Sequence, residues 1–237
     1  MAMPPSHRAG TSRAGTKGVP RADREQQILA AATEEFGLRG YDATSLAAVA
    51  ARVGVTKTLL HQYFGPKQDL YLACLNAVGD RLLAAIRTAM ADGGATGPHT
   101  PLRVLRALFT ALEGQREAWF VLYDTSLPPD SEPARRAAHY RAAIDALAET
   151  GSLDVLRRSG PADSPDANHL GADPLTADPL GADPLDGDLL AYAWRGLATT
   201  LVRWWIRHPD ESVDAMTRRC ARLFTTARTA LAPDPDA

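Results

Sequence analysis

Lysine and cysteine are scarce in this sequence, and long apolar runs are missing. Lysine occurs only at positions 17, 57 and 67, so arginine carries nearly all of the positive charge. Cys74 and Cys220 are too few and too far apart to predict a disulfide framework or a zinc site. No run of about eighteen apolar residues occurs, so no membrane span is expected, and residues 1–20 lack the apolar segment of a signal peptide. The sequence therefore predicts a soluble, cytoplasmic protein.

Motifs that carry catalysis are also missing. The six histidines, at 7, 61, 99, 139, 169 and 208, do not have the spacing of metal ligands. No glycine-rich phosphate loop, nucleophile elbow or paired-carboxylate motif is present. We therefore predict no catalytic residue, no metal ligand and no cofactor, and an all-α enzyme is the least favoured alternative.

Charge is distributed unevenly along the chain. Residues 1–67 hold nine Lys/Arg and five Asp/Glu, whereas the remainder carries a net negative charge. A basic N-terminal part and an acidic remainder suit a protein whose N-terminal part binds phosphate groups. Residues 1–21 are rich in Gly and Pro and are predicted to form a disordered basic tail.

Apolar residues recur at helical spacing along most of the chain, and we find no convincing strand pattern, so the fold class is predicted to be all-α. The sequence Ala-Asp-Pro-Leu occurs at 172–175, 177–180 and 182–185. A proline every five residues removes too many amide donors for a helix, which predicts an exposed low-complexity loop over 159–187. A tail is predicted over 232–237, after the last helix. Helices are predicted over about 23–40, 45–53, 56–63, 66–91, 101–117, 132–158, 188–207 and 212–231, with a short apolar piece at 119–123.

The stretch from Leu46 to Phe64 has the pattern of a helix-turn-helix. Ala50 is small where two helices must cross closely, and Gly54 lies where a tight turn needs a permissive backbone. Leu60 and Phe64 are placed to bury one side of the third helix. In such a unit the second helix of the pair enters the DNA major groove. The polar residues left on its outer face are Thr56, Lys57, Thr58, His61 and Gln62.

Residues 24–75 resemble the N-terminal domain of the TetR family of regulators. The resemblance implies a three-helix DNA-binding domain over 22–67, joined by a long fourth helix to a larger helical ligand-binding and dimerisation domain over 68–237. The matching stretches are 28–32 with Phe36, 40–45, 53–57, and Tyr63-Phe64 with Lys67 and Leu70.

The resemblance also implies roles for single residues. The family often has Gly or Ala where Thr58 stands, a small polar residue at Leu59 and Tyr at His61, so the operator sequence does not follow from it. Because a Gln side chain can form two hydrogen bonds with adenine, we hypothesise that Gln62 contacts an adenine base of the operator. The implied phosphate contacts are Thr44, Ser45, Tyr63 and Lys67, with Thr56 and Lys57 opening the recognition helix and Thr58, His61 and Gln62 on its DNA side.

For the remainder of the chain the resemblance implies a homodimer, a pseudo-palindromic double-stranded operator, an unidentified small-molecule effector, and repression as the common mode of action. Core packing is the competing interpretation for every candidate effector residue. A regulator-like module that binds another protein instead of DNA is the main alternative function. The candidate pocket walls are Trp119, Tyr123, Tyr140, Tyr192 and Trp194, and the candidate polar anchors are Arg103 and His139.

Overall fold

The computed structural model describes residues 19–92, 100–159 and 184–230. Within these ranges the chain forms nine α-helices, one short 3₁₀ turn and no strand, in agreement with the predicted all-α class. Of the tail predicted over 1–21, residues 1–18 lie outside the described residues and Arg21 is the first residue of a helix. Residues 160–183 of the predicted loop and the tail at 232–237 also lie outside them. The helices are α1 (Arg21–Ala43), α2 (Leu46–Arg52), α3 (Lys57–Phe64), α4 (Lys67–Ala91), α5 (Thr100–Leu112), α6 (Trp119–Leu122), α7 (Glu132–Ser159), α8 (Pro184–Ile206) and α9 (Val213–Ala230), and the 3₁₀ turn is Arg116–Ala118.

Helix α1 forms the base of the N-terminal head. It begins at Arg21, two residues before the predicted start at residue 23, and the Pro20 carbonyl accepts the main-chain N–H of Arg24. Gly40 adopts φ 78°, which interrupts the helical path where the sequence predicts a stop. Ile28, Ala32 and Phe36 are all fully buried, as their spacing predicts.

Helix α4 connects the head to the body. Its buried face carries Tyr71, Cys74, Leu75 and Val78, whereas Ala77 is exposed. In the body α5 and α7 pack against α4, α8 packs against α7, and α9 packs against α5. At Gly79 a Cβ atom would lie only 2.4 Å from the Tyr140 ring, so this glycine permits the close approach of α4 and α7.

Two predicted boundaries in the body are wrong. The helix predicted over 101–117 ends at Leu112, because Gly114 takes φ 77° and a 3₁₀ turn follows. Helix α8 begins at Pro184, inside the predicted low-complexity loop and four residues before the predicted start at Asp188. Proline is well suited to a first helical position, where its missing N–H has no partner within the helix anyway.

Candidate nucleic-acid interface and effector cavity

Helices α2 and α3 form a helix-turn-helix. Ala50 is 2% exposed at the crossing of the two helices, and its carbonyl accepts the main-chain N–H of Val55. Gly54 takes φ 67° in the turn between them, a conformation that strains residues with a Cβ. Leu60 is fully buried beneath α3. These local contacts fix α3 against α2 with one side turned to solvent.

The polar residues predicted to face DNA lie on that solvent side. Thr56, Lys57, Thr58, His61 and Gln62 are all exposed, and Leu59 is half-buried. Thr56 caps α3 by accepting the Leu59 N–H at 3.1 Å, and Ser45 caps α2 by accepting the Ala48 N–H at 3.1 Å. A hydroxyl that accepts an N–H keeps its own proton, so both caps can still donate to a phosphate oxygen.

Thr44 differs from its expected role. Its side chain is only 2% exposed, and its hydroxyl lies 2.8 Å from the Gly40 carbonyl oxygen and 3.1 Å from that of Glu35. The hydroxyl proton is therefore already donated within the protein. Thr44 closes the junction of α1 and α2, and the candidate phosphate contacts made by side chains begin at Ser45.

Tyr63 and Lys67 lie at the edge of the same surface, and both are half-buried. The Arg21 guanidinium lies 5.2 Å from the centre of the Tyr63 ring. The Lys67 ammonium lies 4.5 Å from the centre of the Tyr41 ring and donates to the Asp42 carbonyl at 3.2 Å. An ammonium has three protons, so Lys67 retains donors for a phosphate while these contacts hold it near the head.

The body contains an apolar cavity of about 880 Å³. Its size lies within the range of small-molecule sites, ~300–1,000 Å³, and apolar walls with a few polar groups are typical of such sites. Helices α4 to α9 all contribute to its lining. The apolar walls include Ile86, Met90, Leu108, Trp119, Ile144, Trp194 and Phe224.

Three of the seven candidate effector residues line this cavity: Trp119, Tyr123 and Trp194. The other four do not. Tyr140 is buried between helices, where its hydroxyl donates to Asp80 at 2.8 Å. Tyr192 is 67% exposed and His139 is exposed, so neither faces the interior. The guanidinium of Arg103 is engaged by the Ala89 carbonyl and the Thr100 hydroxyl.

Asp145 and Arg195, which are not among the predicted effector residues, form a polar end of the cavity. Their side chains make an ion pair at 2.5 Å, and both residues line the cavity beside Tyr123. Desolvation raises the pKa of Asp145, although the nearby Arg195 and Arg141 counteract it. A signal was present in the sequence, since Asp145 lies directly beside the apolar series Ile144, Leu147 and Ala148 on one helix.

Asp124 joins the head to the body. One of its carboxylate oxygens accepts the main-chain N–H of Tyr41 at 2.6 Å and lies 3.2 Å from the Tyr71 hydroxyl. The other accepts the main-chain N–H of Ser126 at 2.8 Å. The Ser126 hydroxyl oxygen in turn accepts the N–H of Asp42 at 3.2 Å. We call Tyr41, Asp42, Tyr71, Asp124 and Ser126 the head–body junction.

This junction is adjacent in sequence to the cavity wall. Tyr123 lines the cavity and Asp124 holds the head, so a single peptide bond separates the two functions. A second close contact lies nearby, where a Cβ on Gly37 would come within 2.2 Å of the Glu117 carbonyl oxygen. The head and the cavity are therefore connected through α6 and the residues on either side of it.

Within the described ranges, none of the helices has the combination of length and apolar character needed to cross a bilayer.

Comparison with known proteins identifies relatives of both the head and the body. Residues 28–74 match the family described as "Bacterial regulatory proteins, tetR family". The HTH-type transcriptional activator FasR of Mycolicibacterium smegmatis is 31% identical over 153 residues, which cover 64% of this chain and 67% of FasR. The dual regulator CecR of Shigella flexneri is 41% identical over 56 residues, but these cover only 24% of this chain and 25% of CecR.

Solved structures share the fold over nearly the whole length. A TetR-family regulator from Bordetella parapertussis superimposes with a TM-score of 0.66 at 18% identity, covering 91% of this chain and all of that chain. A TetR-like regulator from Rhodococcus sp. RHA1 gives a TM-score of 0.58 at 24% identity, covering 85% and 93% of the two chains. With the helix-turn-helix geometry and the extended similarity to FasR, these findings show that the chain belongs to the TetR family of DNA-binding transcription regulators, which are not enzymes.

Proposed function

We propose that this chain is an effector-responsive transcription regulator that binds a pseudo-palindromic operator as a homodimer. The observation that carries the proposal is the exposed polar face of α3, mounted on a body that holds a cavity of about 880 Å³. Selection of bound sequences from random double-stranded DNA tests it directly. A twofold dimer should enrich two inverted half-sites separated by about one helical turn, ~34–36 Å, or a multiple of it.

The same experiment addresses the main alternative, a module that binds another protein. Neutralisation of DNA phosphates by Lys57 and Lys67 releases counterions, so affinity should fall steeply as salt rises. Absence of any enriched sequence at low salt would favour the protein-binding alternative. Because bacterial operators lie in the cytoplasm, the proposed role would also place the protein there.

Two substitutions on α3 should separate affinity from specificity. Lys57→Ala removes one phosphate contact, so it should weaken all sequences alike and reduce the salt dependence by about one unit of slope. Gln62→Ala removes a base contact and should relax the preference at one operator position, at a cost of about 1–3 kcal/mol. Fluorescence anisotropy at several salt concentrations, together with repeated sequence selection, measures both effects.

Thr110→Ala is a suitable control for these two variants, since Thr110 is exposed on α5, outside the head. Base preference that is unchanged at every position in Gln62→Ala would contradict direct readout by Gln62. An unchanged salt slope in Lys57→Ala would contradict its phosphate contact.

The proposed dimer interface is an apolar stripe on α8 and α9. Leu185, Leu189 and Tyr192 are 71%, 63% and 67% exposed, and they follow one another at intervals of four and three residues on one face of α8. Gly196 continues the same face, with no atom within 4 Å of a Cβ built there, so the backbone of a partner helix can approach closely. Leu223 on α9 adds a further leucine that is 48% exposed. Contiguous apolar surface of this kind marks an interaction site.

Leu189→Glu should shift the protein from dimer to monomer at micromolar concentration, because it places a charge in the centre of the apolar stripe. Size-exclusion chromatography with light scattering measures the mass. Leu38→Glu is the matched control, since Leu38 is 55% exposed on α1, away from the stripe. A dimer that persists in Leu189→Glu would show that another surface forms the interface.

We propose repression, by occupation of the promoter, as the mode of action. Among the relatives, FasR is named an activator and CecR a dual regulator, so the direction of regulation is a separate experimental question. The position of the selected operator relative to the transcription start site decides it. An operator overlapping the start site supports repression, and one lying wholly upstream supports activation.

A further inference from the structure

One arginine side chain, that of Arg116, binds four main-chain carbonyl groups where α8 turns into α9. We call residues 205–211 the α8–α9 corner. The two terminal nitrogens of the guanidinium each donate to two of these carbonyls, and the group lies 3.9 Å from the centre of the buried Trp205 ring. The acceptors are Trp205 at 2.8 Å, His208 at 3.1 Å, and Pro209 and Glu211 at 3.0 Å each.

The chemistry of arginine suits this position. The last carbonyls of a helix have no partner within the helix, and they form the negative end of its dipole. A guanidinium supplies five N–H donors in a rigid planar fork together with a permanent positive charge. Lysine carries the same charge, but its three donors radiate from a single nitrogen, so it cannot reproduce this set of bonds.

The residues on either side of Arg116 contact α1, the base of the head. The Gln115 side-chain amide donates to the Ala30 carbonyl of that helix at 3.2 Å. The Glu117 carbonyl packs against Gly37, where an added Cβ would come within 2.2 Å of its oxygen. These three consecutive residues therefore lie between α1 and the α8–α9 corner.

A separate contact holds the residues that follow. The Trp119 indole N–H donates to the Thr199 hydroxyl of α8 at 3.1 Å, and the Trp119 side chain is buried. Loss of the Arg116 bonds should therefore free the 3₁₀ turn from the corner while α6 stays packed against α8. We expect such a variant to fold, with the head held less precisely relative to α8 and α9.

We propose that Arg116 is a positioning residue that sets the distance between the two DNA-reading heads of the dimer. The proposal deepens the homodimeric operator binding proposed above, and so it rests on that function. Because α8 and α9 carry the proposed dimer interface, each head takes its place relative to the twofold axis from its links to these helices. The contacts that lead from the α8–α9 corner through Arg116 to α1 form one such link.

Pulsed electron spin resonance on the DNA-free protein tests the distance between the heads. A spin label on Ala51→Cys reports from α2, where Ala51 is exposed, whereas the native Cys74 and Cys220 are buried. One label on each protomer gives one distance. We expect a single narrow distribution in the chain with Arg116, and a broader one in Arg116→Met, which keeps an unbranched side chain but has no donors.

Operators with altered spacing test the consequence for DNA binding. One added base pair moves a half-site by about 3.4 Å along the DNA axis and turns it by about 35° around that axis. Such an insertion should weaken binding of the wild-type chain about tenfold, and that of Arg116→Met less than about threefold. Affinity for an isolated half-site should stay unchanged, because one head reads it. Fluorescence anisotropy measures all three affinities.

Arg106→Met is the matched control. Arg106 also reaches α9, but through an exposed ion pair with Asp214 at 2.7 Å, so its loss should leave the distances and the spacing preference unchanged. Arg116→Lys keeps the charge without the fork and should behave like Arg116→Met, and it supplies the test if the methionine variant does not fold. Circular dichroism and light scattering confirm that each variant is folded and dimeric.

The outcomes separate this role from the proposed function. A distance distribution in Arg116→Met as narrow as in the control, or an unchanged discrimination between spacings, would overturn the positioning role and leave dimeric DNA binding intact. So would wild-type behaviour of Arg116→Lys, or a loss of half-site affinity as large as the loss at the full operator. A monomeric wild-type chain, or failure to select paired half-sites, would overturn the proposed function and this role together.

Discussion

Replacing Asp124 with alanine is expected to loosen the head from the body. The carboxylate accepts the Tyr41 and Ser126 main-chain N–H groups and lies within hydrogen-bond distance of the Tyr71 hydroxyl. Tyr71 keeps a second acceptor, the Val121 carbonyl at 2.7 Å, but the Tyr41 N–H loses its charged partner. Hydrogen bonds to charged groups contribute about 1.5–3 kcal/mol, so the free energy of unfolding should fall by about 2–4 kcal/mol.

The same variant should bind its operator about tenfold more weakly, because the head is no longer held in one orientation. A tenfold loss of affinity corresponds to about 1.4 kcal/mol of binding free energy. Urea denaturation followed by circular dichroism measures the stability, and fluorescence anisotropy measures the operator affinity. Asp214→Ala is the matched control. It removes an exposed carboxylate that pairs with Arg106 at 2.7 Å, and surface pairs of this kind contribute about 0–1 kcal/mol. Equal stability losses in the two variants would contradict the role assigned to Asp124.

Gly37→Ala is expected to separate α1 from the 3₁₀ turn before α6. The added Cβ would lie 2.2 Å from the Glu117 carbonyl oxygen, a main-chain atom that no side-chain rotation can move. Overpacking of this kind costs about 1–3 kcal/mol, which outweighs the gain of up to about 1 kcal/mol that alanine brings to a helix. The midpoint of urea unfolding should therefore fall.

Gly151→Ala should have the opposite sign. Gly151 lies in α7, and its Cβ would be in ordinary contact with the Met90 methyl carbon at 3.5 Å. The helix-propensity gain should then dominate and raise the unfolding midpoint. An unchanged or raised midpoint in Gly37→Ala would contradict the steric contact, and a lowered midpoint in Gly151→Ala would contradict the helix-propensity gain.

The helix-turn-helix could be predicted from sequence because its determinants are local. Gly54 sets the turn, Thr56 caps the next helix and Leu60 anchors it, all within seven residues. Each signal is a backbone or capping requirement that acts at its own position. The exposed face of α3 follows directly, since the buried positions leave only one side of so short a helix free.

The hydrogen-bond partner of Thr44 could not be predicted from its neighbours in sequence. Its hydroxyl could in principle serve a phosphate or a nearby carbonyl, and the outcome depends on the kink at Gly40, which brings the carbonyl oxygens of Glu35 and Gly40 within reach. The sequence indicated a helix end at Gly40 but not the path of the chain after it. The path of the chain after Gly40 therefore decides that the Thr44 hydroxyl donates to a carbonyl oxygen of the protein and not to a phosphate.

The cavity walls were harder to predict because they depend on contacts between distant helices. Tyr192 and Trp194 are two positions apart on α8, which turns them about 200° from each other, so one is exposed and the other lines the cavity. Residue type does not distinguish Tyr192 from Trp194, because both are large aromatic residues. On α7 the adjacent residues His139 and Tyr140 are exposed and buried, respectively, and neither lines the cavity. Asp145 lies beside apolar residues of its own helix, but its pairing with Arg195 joins two helices and has no pattern within either of them.

The position of Pro184 has a consequence for how the sequence can change in evolution. This proline belongs to the third Ala-Asp-Pro-Leu repeat and is also the first residue of α8. Duplication or deletion of a complete five-residue unit upstream would therefore alter the number of residues between α7 and α8 while leaving the start of α8 unchanged. The rotational phase of the apolar stripe and of Trp194 along that helix would be preserved. Related chains could accordingly differ in repeat number while keeping the same cavity and the same proposed dimer surface.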